Sequence, residues 1–98
     1  MALTHSLLAP GELSQQVGAN AREARLAKNL SRKTLAQMTG ISESTIKRFE
    51  SSGQITLDSL VLIATALGTT RQIAVLFKHE HPISLDEIKQ AGRARGRK

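Results

Sequence analysis

The sequence predicts an all-α domain, and three observations carry that reading. Apolar residues recur at three- and four-residue spacing along most of the chain. No stretch keeps the two-residue alternation of a strand. Ser, Thr and Gly fall where successive short helices would start and stop. At 98 residues the chain fits one domain with a modest core.

The first helix opens at Pro10, a residue suited to a first helical position, and its inward face is predicted to be Leu13, Val17, Ala21, Ala24 and Ala27. Gly18 weakens it slightly. A break falls at Asn29-Leu30, and Ser31 caps a second helix over Arg32 to Thr39 that buries Leu35 and Ala36. Gly40 stands at its C-cap. Ser42 caps a third helix that runs to Glu50 or Ser51, with Gly53 after it. Thr56 caps a fourth helix, whose series Leu57, Leu60, Ile63, Ala64 and Leu67 stops at Gly68. Thr70 opens a short fifth helix through Phe77, with Ile73 and Leu76 inward.

A polar connection, KHEHP, follows. Beyond Pro82, Ser84 and Glu87 form a capping box and Ile83 and Ile88 a hydrophobic staple, so a helix is expected over Leu85 to Ala91. The basic end RARGRK has nothing apolar to bury. The division that results is a flexible terminus over 1–9, a helical body over 10–78, and a linker, capped helix and basic tail over 79–98.

Composition narrows the function. There is no cysteine, hence no disulfide framework and no Cys-based zinc site. No apolar run approaches the roughly 18 residues of a membrane span, and the N-terminus lacks the basic region of a signal peptide. A cytoplasmic, nucleoid-associated location is therefore expected. Net charge is +6, which favours a polyanionic partner, and Arg93, Arg95, Arg97 and Lys98 supply four of those charges. Phe49 and Phe77 are the only aromatic residues. Single-strand and RNA binders stack bases on exposed aromatics, so duplex DNA fits better.

Two short helices joined at a glycine turn form a helix-turn-helix pattern. At about 100° per residue, Ile46 and Phe49 on the third helix share one side with Ser42 and Thr45. Ser44, Lys47, Arg48 and Ser51 point the other way, with Glu43 at the margin. A major groove admits such a helix and offers Ser44 several base edges, Arg48 a guanine and Glu43 a cytosine amine. Any solvated helix face is also polar, so this pattern alone leaves both readings open.

The flanks add to it. LSRKTLAQMTGISESTIKRFESSG, Leu30 to Gly53, resembles the Cro/C1-type (XRE) helix-turn-helix family of DNA-binding regulators. The resemblance rests on Leu35-Ala36, Gly40-Ile41, the run Ser42, Ser44, Thr45 and Ile46, and then Arg48, Phe49 and Glu50, with TLDSLVLIATALG placed like that family's fourth helix. It covers about residues 12 to 77 and implies a five-helix, lambda-repressor-like bundle with Ser42 to Glu50 as its recognition helix. It implies base-edge roles for Glu43, Ser44 and Arg48, with Lys47 and Thr45 near the backbone; the capping Ser42 is a further DNA-binding candidate. It also implies a phosphate contact at Arg32 and a structural pair between Arg25 and Glu50. The chain departs from the family pattern at Ala21 and Ala24, smaller than the usual core residues, and at Arg32, where Gln is commoner.

The remaining residues are expected to be inert. His79 and His81 flank Glu80 without a third ligand, and His5 lies near the N-terminus. Met38 reads as core or interface filler. No nucleophile motif or acid-base pair occurs, so no enzyme activity, metal or other cofactor is expected.

The basic tail at Arg93, Arg95 and Arg97 fits either an A·T-rich minor groove or non-specific phosphate binding. The expected DNA partner is a pseudo-palindromic operator bound by a homodimer, with Val61, Leu62, Val75, Phe77 and Ile83 as candidates for the dimer contact. The capped segment and basic end also resemble small antitoxins of the HipB type, which repress their own operon and bind a HipA-like kinase. A stand-alone or phage repressor without a toxin partner is the alternative.

Overall fold

The computed structural model describes residues 8–79, and over them it consists of five helices without a strand. These are α1 (Pro10–Ala27), α2 (Arg32–Thr39), α3 (Glu43–Ser52), α4 (Leu57–Leu67) and α5 (Thr70–Ala74). The basic tail, the Ser84–Glu87 capping box, Ile83, Ile88, His5 and His81 lie outside the described residues.

The helix starts follow the expected capping chemistry. The Thr34, Thr45 and Ser59 amides donate to the Ser31, Ser42 and Thr56 hydroxyls at 3.0, 3.2 and 3.2 Å. Each bond satisfies one of the donors that a helix leaves unpaired at its N-terminus. Gly40, Gly53 and Gly68 close α2, α3 and α4 with left-handed backbone. Between α1 and α2 the chain reverses at Asn29, whose φ of 58° lies in the left-handed region that Asn tolerates.

The core is small. Leu35, Ile46, Phe49 and Ile63 are almost fully buried, joined by Ile41, Ala64 and Leu67. Ala21, Ala24, Leu30, Ala36, Ile55, Leu60 and Ala66 pack around them, half-buried. Each large side chain removed from water contributes roughly 1.5–3 kcal/mol.

The inward face of α1 differs from the periodic series. Gly18 and Arg25 are its buried positions and Ala21 and Ala24 are half-buried, whereas Leu13, Val17 and Ala27 are exposed. Backbone approach explains the shift. A Cβ on Gly18 would sit 2.1 Å from the Phe49 carbonyl oxygen, and one on Gly53 would sit 2.1 Å from that of Ser14. The helix therefore rests its glycine face directly on the end of α3, and Gly18 is a contact point more than a weakness. Hydrophobic spacing marks large side chains and is blind to a contact made by the absence of one.

Two further expectations change. The fifth helix stops at Ala74, short of Phe77, and its N-cap Thr69 makes no side-chain capping bond. A turn follows, with Leu76 N–H donating to the Ile73 carbonyl at 3.1 Å and Phe77 at a φ of 67°. Ile73 is half-buried, but Leu76 is about half exposed and Phe77 fully exposed. Met38 is also more than half exposed, so it does not fill the core.

Candidate nucleic-acid interface

The seating of α3 decides where its polar side chains go. Ile46 and Phe49 are buried and Glu50 beside them is 6% exposed, so one flank of the helix is committed to the bundle. Glu43, Ser44, Lys47 and Arg48 are all exposed on the other side, as the helical wheel places them. Thr45 is half-buried, and its hydroxyl accepts from that of Ser42 at 2.8 Å. Both hydroxyls serve the N-terminus of α3. Ser51 and Ser52 turn back on their own helix, donating to the Arg48 carbonyl at 3.2 and 2.7 Å.

Behind this face lies a charged junction of three helices. Arg25 Nε of α1 donates to Glu50 Oε2 at 2.7 Å and its Nη2 to Oε1 at 3.1 Å, a bidentate pair. The remaining Arg25 nitrogen, Nη1, donates to the Leu30 carbonyl at 2.7 Å. One side chain thus ties α1, the α1–α2 connection and α3 together. Arg32, the first residue of α2, adds a bond from its Nε to Glu50 Oε1 at 2.9 Å.

Burial pushes the Glu50 carboxyl upward, but the Arg25 and Arg32 guanidiniums outweigh that and hold it below the usual Glu value. No buried side-chain nitrogen or oxygen among the described residues lacks a partner. A buried charge pair is weak support for stability as such, since burial costs about what attraction returns. Its value here is geometric, because it fixes the roll of α3 about its axis.

The expected Arg25–Glu50 pair is thus present, and Arg32, expected at a phosphate, joins it as a third member. Arg32 remains about one-third exposed, so its Glu50 bond does not remove it from solvent. Beside the junction, Arg22, Arg32, Lys47, Glu50 and Ser51 line an open pocket of about 310 Å³. Sequence reasoning missed Arg22. The available signal was its position three residues before Arg25, which puts the two on neighbouring parts of one helix face.

The opposite side of the domain is apolar. A groove of about 280 Å³ between α1, α4 and α5 is lined mainly by small and branched side chains, including Val17, Ala21, Ala24, Leu60, Ile73 and Leu76. Ala21 and Ala24, where the sequence reading expects a looser or differently filled core, both line this groove.

None of the described helices is long and apolar enough to cross a membrane. Residues 22–73, more than half of the chain, match a family model described as helix-turn-helix. No curated protein matches the chain.

Proposed function

The chain belongs to the Cro/C1-type helix-turn-helix family of DNA-binding regulators, and we propose that it is a sequence-specific transcriptional repressor acting as a homodimer. The observation that carries the proposal is the division of α3, with Ile46, Phe49 and Glu50 buried and Glu43, Ser44, Lys47 and Arg48 exposed at the surface. Arg48 reads guanine, Ser44 and Glu43 complete the base contacts, and Lys47, Thr45, Ser42 and Arg32 lie along the backbone. One helix of this length reads only a few base pairs, so two half-sites about one helical turn apart supply the specificity.

The dimer contact is assigned to the apolar surface left by α4 and the residues after α5. Val61, Leu62, Val75 and Phe77 are exposed there, an arrangement that favours a second copy over permanent contact with water. Selection from a random duplex pool tests the proposal. It should enrich a pseudo-palindrome, and equal retention of all sequences would exclude a sequence-specific repressor.

A second reading concerns the partner. The Ser84–Glu87 capping box followed by Arg93, Arg95 and Arg97 favours an autoregulating antitoxin of the HipB type, with a HipA-like kinase as its target. Co-expression with an adjacent toxin gene should relieve growth arrest. Persistent arrest would leave the stand-alone or phage repressor.

A further inference from the structure

The pocket beside α3 gathers more positive charge than its surroundings neutralise. Arg22 comes from α1, Arg32 from the start of α2, and Lys47 and Ser51 from α3, with Glu50 also in the wall. Glu50 is already shared by Arg25 and Arg32. Three cations therefore line the pocket with one carboxylate, a net charge of +2, and the buried Arg25 stands behind Glu50 as a further cation. Among the described residues no carboxylate pairs with Arg22 or Lys47. Like charges held around one cavity repel, and an anion placed among them converts that repulsion into attraction.

The position of the pocket specifies which anion. Lys47 stands three residues after Ser44 on the outward face and three before buried Glu50, so it borders both the reading face and the pocket. A helix lying in a major groove has a sugar-phosphate backbone along each flank. The flank of α3 nearest α1 and α2 is the one that carries this pocket.

Arg32 is pre-oriented for the task. Its Nε is held by Glu50 Oε1 at 2.9 Å, while its terminal nitrogens have no acceptor among the described residues. A guanidinium fixed at one edge loses less freedom when its other edge meets a phosphate.

We propose that Arg22, Arg32 and Lys47 form one clamp for a single backbone phosphate of duplex DNA, with Glu50 as the positioning residue for Arg32. The proposal rests on the DNA-binding reading of α3 and extends it to α1, where Arg22 makes the first helix part of the interface. The clamp contributes affinity and registers the recognition helix in the groove without reading a base.

The salt dependence of binding to a mixed-sequence duplex tests it, because each phosphate neutralised contributes about 0.9 to the log–log slope. Arg22 and Lys47 are both exposed, so Arg22→Gln and Lys47→Gln leave the fold intact. Adding Arg32→Gln leaves Glu50 paired with Arg25, and this triple variant should lower the slope by about 0.9 per bound subunit, with each single variant losing no more than that. Lys28→Gln, near Gly68 at the end of α4, should leave the slope at the wild-type value. An unchanged slope in the triple variant would show that no phosphate is held there. A loss of about 1.8 would show two separate contacts instead of one clamp. Either result overturns the proposal while leaving DNA binding by α3 intact; wild-type protein that binds no duplex overturns both.

Discussion

The two sides of this small domain are finished to different degrees. Where α1, α2 and α3 meet, Glu50 is held by Arg25 and Arg32, and the Arg25 guanidinium also reaches the Leu30 carbonyl. Both α2 and α3 there carry a side-chain N-cap and a left-handed glycine C-cap. Across the domain, α5 has five residues and no side-chain cap. An apolar groove stays open between α1, α4 and α5, and Leu76 and Phe77 stand exposed beyond it. On the proposed function, the difference is between a surface that must be rigid before DNA arrives and one left for a second copy to cover. A reading helix works only if its roll and depth are set in advance. An apolar surface that packs against a second copy, as proposed, would have no such requirement.

Substitutions on the two sides should therefore act differently. The largest effect is expected from Glu50→Ala, which leaves Arg25 buried without its charge partner. Breaking such a pair costs on the order of 3–5 kcal/mol. At roughly 4–8 °C per kcal/mol for a domain of this size, the melting temperature should fall by more than about 10 °C. Thermal unfolding followed by circular dichroism measures it directly, and an unchanged midpoint would remove the junction from the account.

The same carboxylate predicts a pH dependence. Its folded pKa lies below the unfolded value of about 4.3, so its contribution is fully present above that value. The contribution is lost as pH falls through the lower, folded pKa. Wild-type stability should decline in that acid window, and Glu50→Ala should lack this part of the decline. Parallel profiles would mean that Glu50 is not the group responsible.

A smaller loss is expected at the crossing of α1 and α3. Ala is ordinarily the better helix residue, yet a Cβ on Gly18 meets the Phe49 carbonyl oxygen. Gly18→Ala should cost about 1–3 kcal/mol as an overpacked contact. A gain in stability would show that the two helices separate easily.

On the open side, Phe77→Asp should leave the monomer's melting temperature within a few degrees, because Phe77 is fully exposed. Sedimentation should instead show weaker self-association. Unaltered association would move the dimer contact elsewhere.

How much of this was legible in the sequence follows the same division. Ser31, Ser42 and Thr56 as caps, Gly40, Gly53 and Gly68 after the helices, and the two-sided α3 depend on local chemistry that a sequence displays directly. The Arg25–Glu50 pair was accessible only through family resemblance, since nothing local links positions 25 residues apart. The glycine face of α1 was misread because periodicity favours Leu13 and Val17 over Gly18. The end of α5 was misread because Leu76, at helical spacing from Ile73, has the pattern of a core residue yet is about half exposed. Arg22 was missed because its importance comes from what α2 and α3 bring beside it.

The most direct test of the central claim, that the buried flank of α3 aims its other flank at base edges, is a binding profile of wild-type and Arg48→Ala proteins. Both are measured against a selected half-site and all of its single base-pair variants. Arg48→Ala should lose about 1–3 kcal/mol on the preferred sequence and discrimination at one base-pair position, with the others unchanged. An equal loss on every sequence would contradict it, since Arg48 would then be a phosphate contact and α3 would not be reading DNA through that residue.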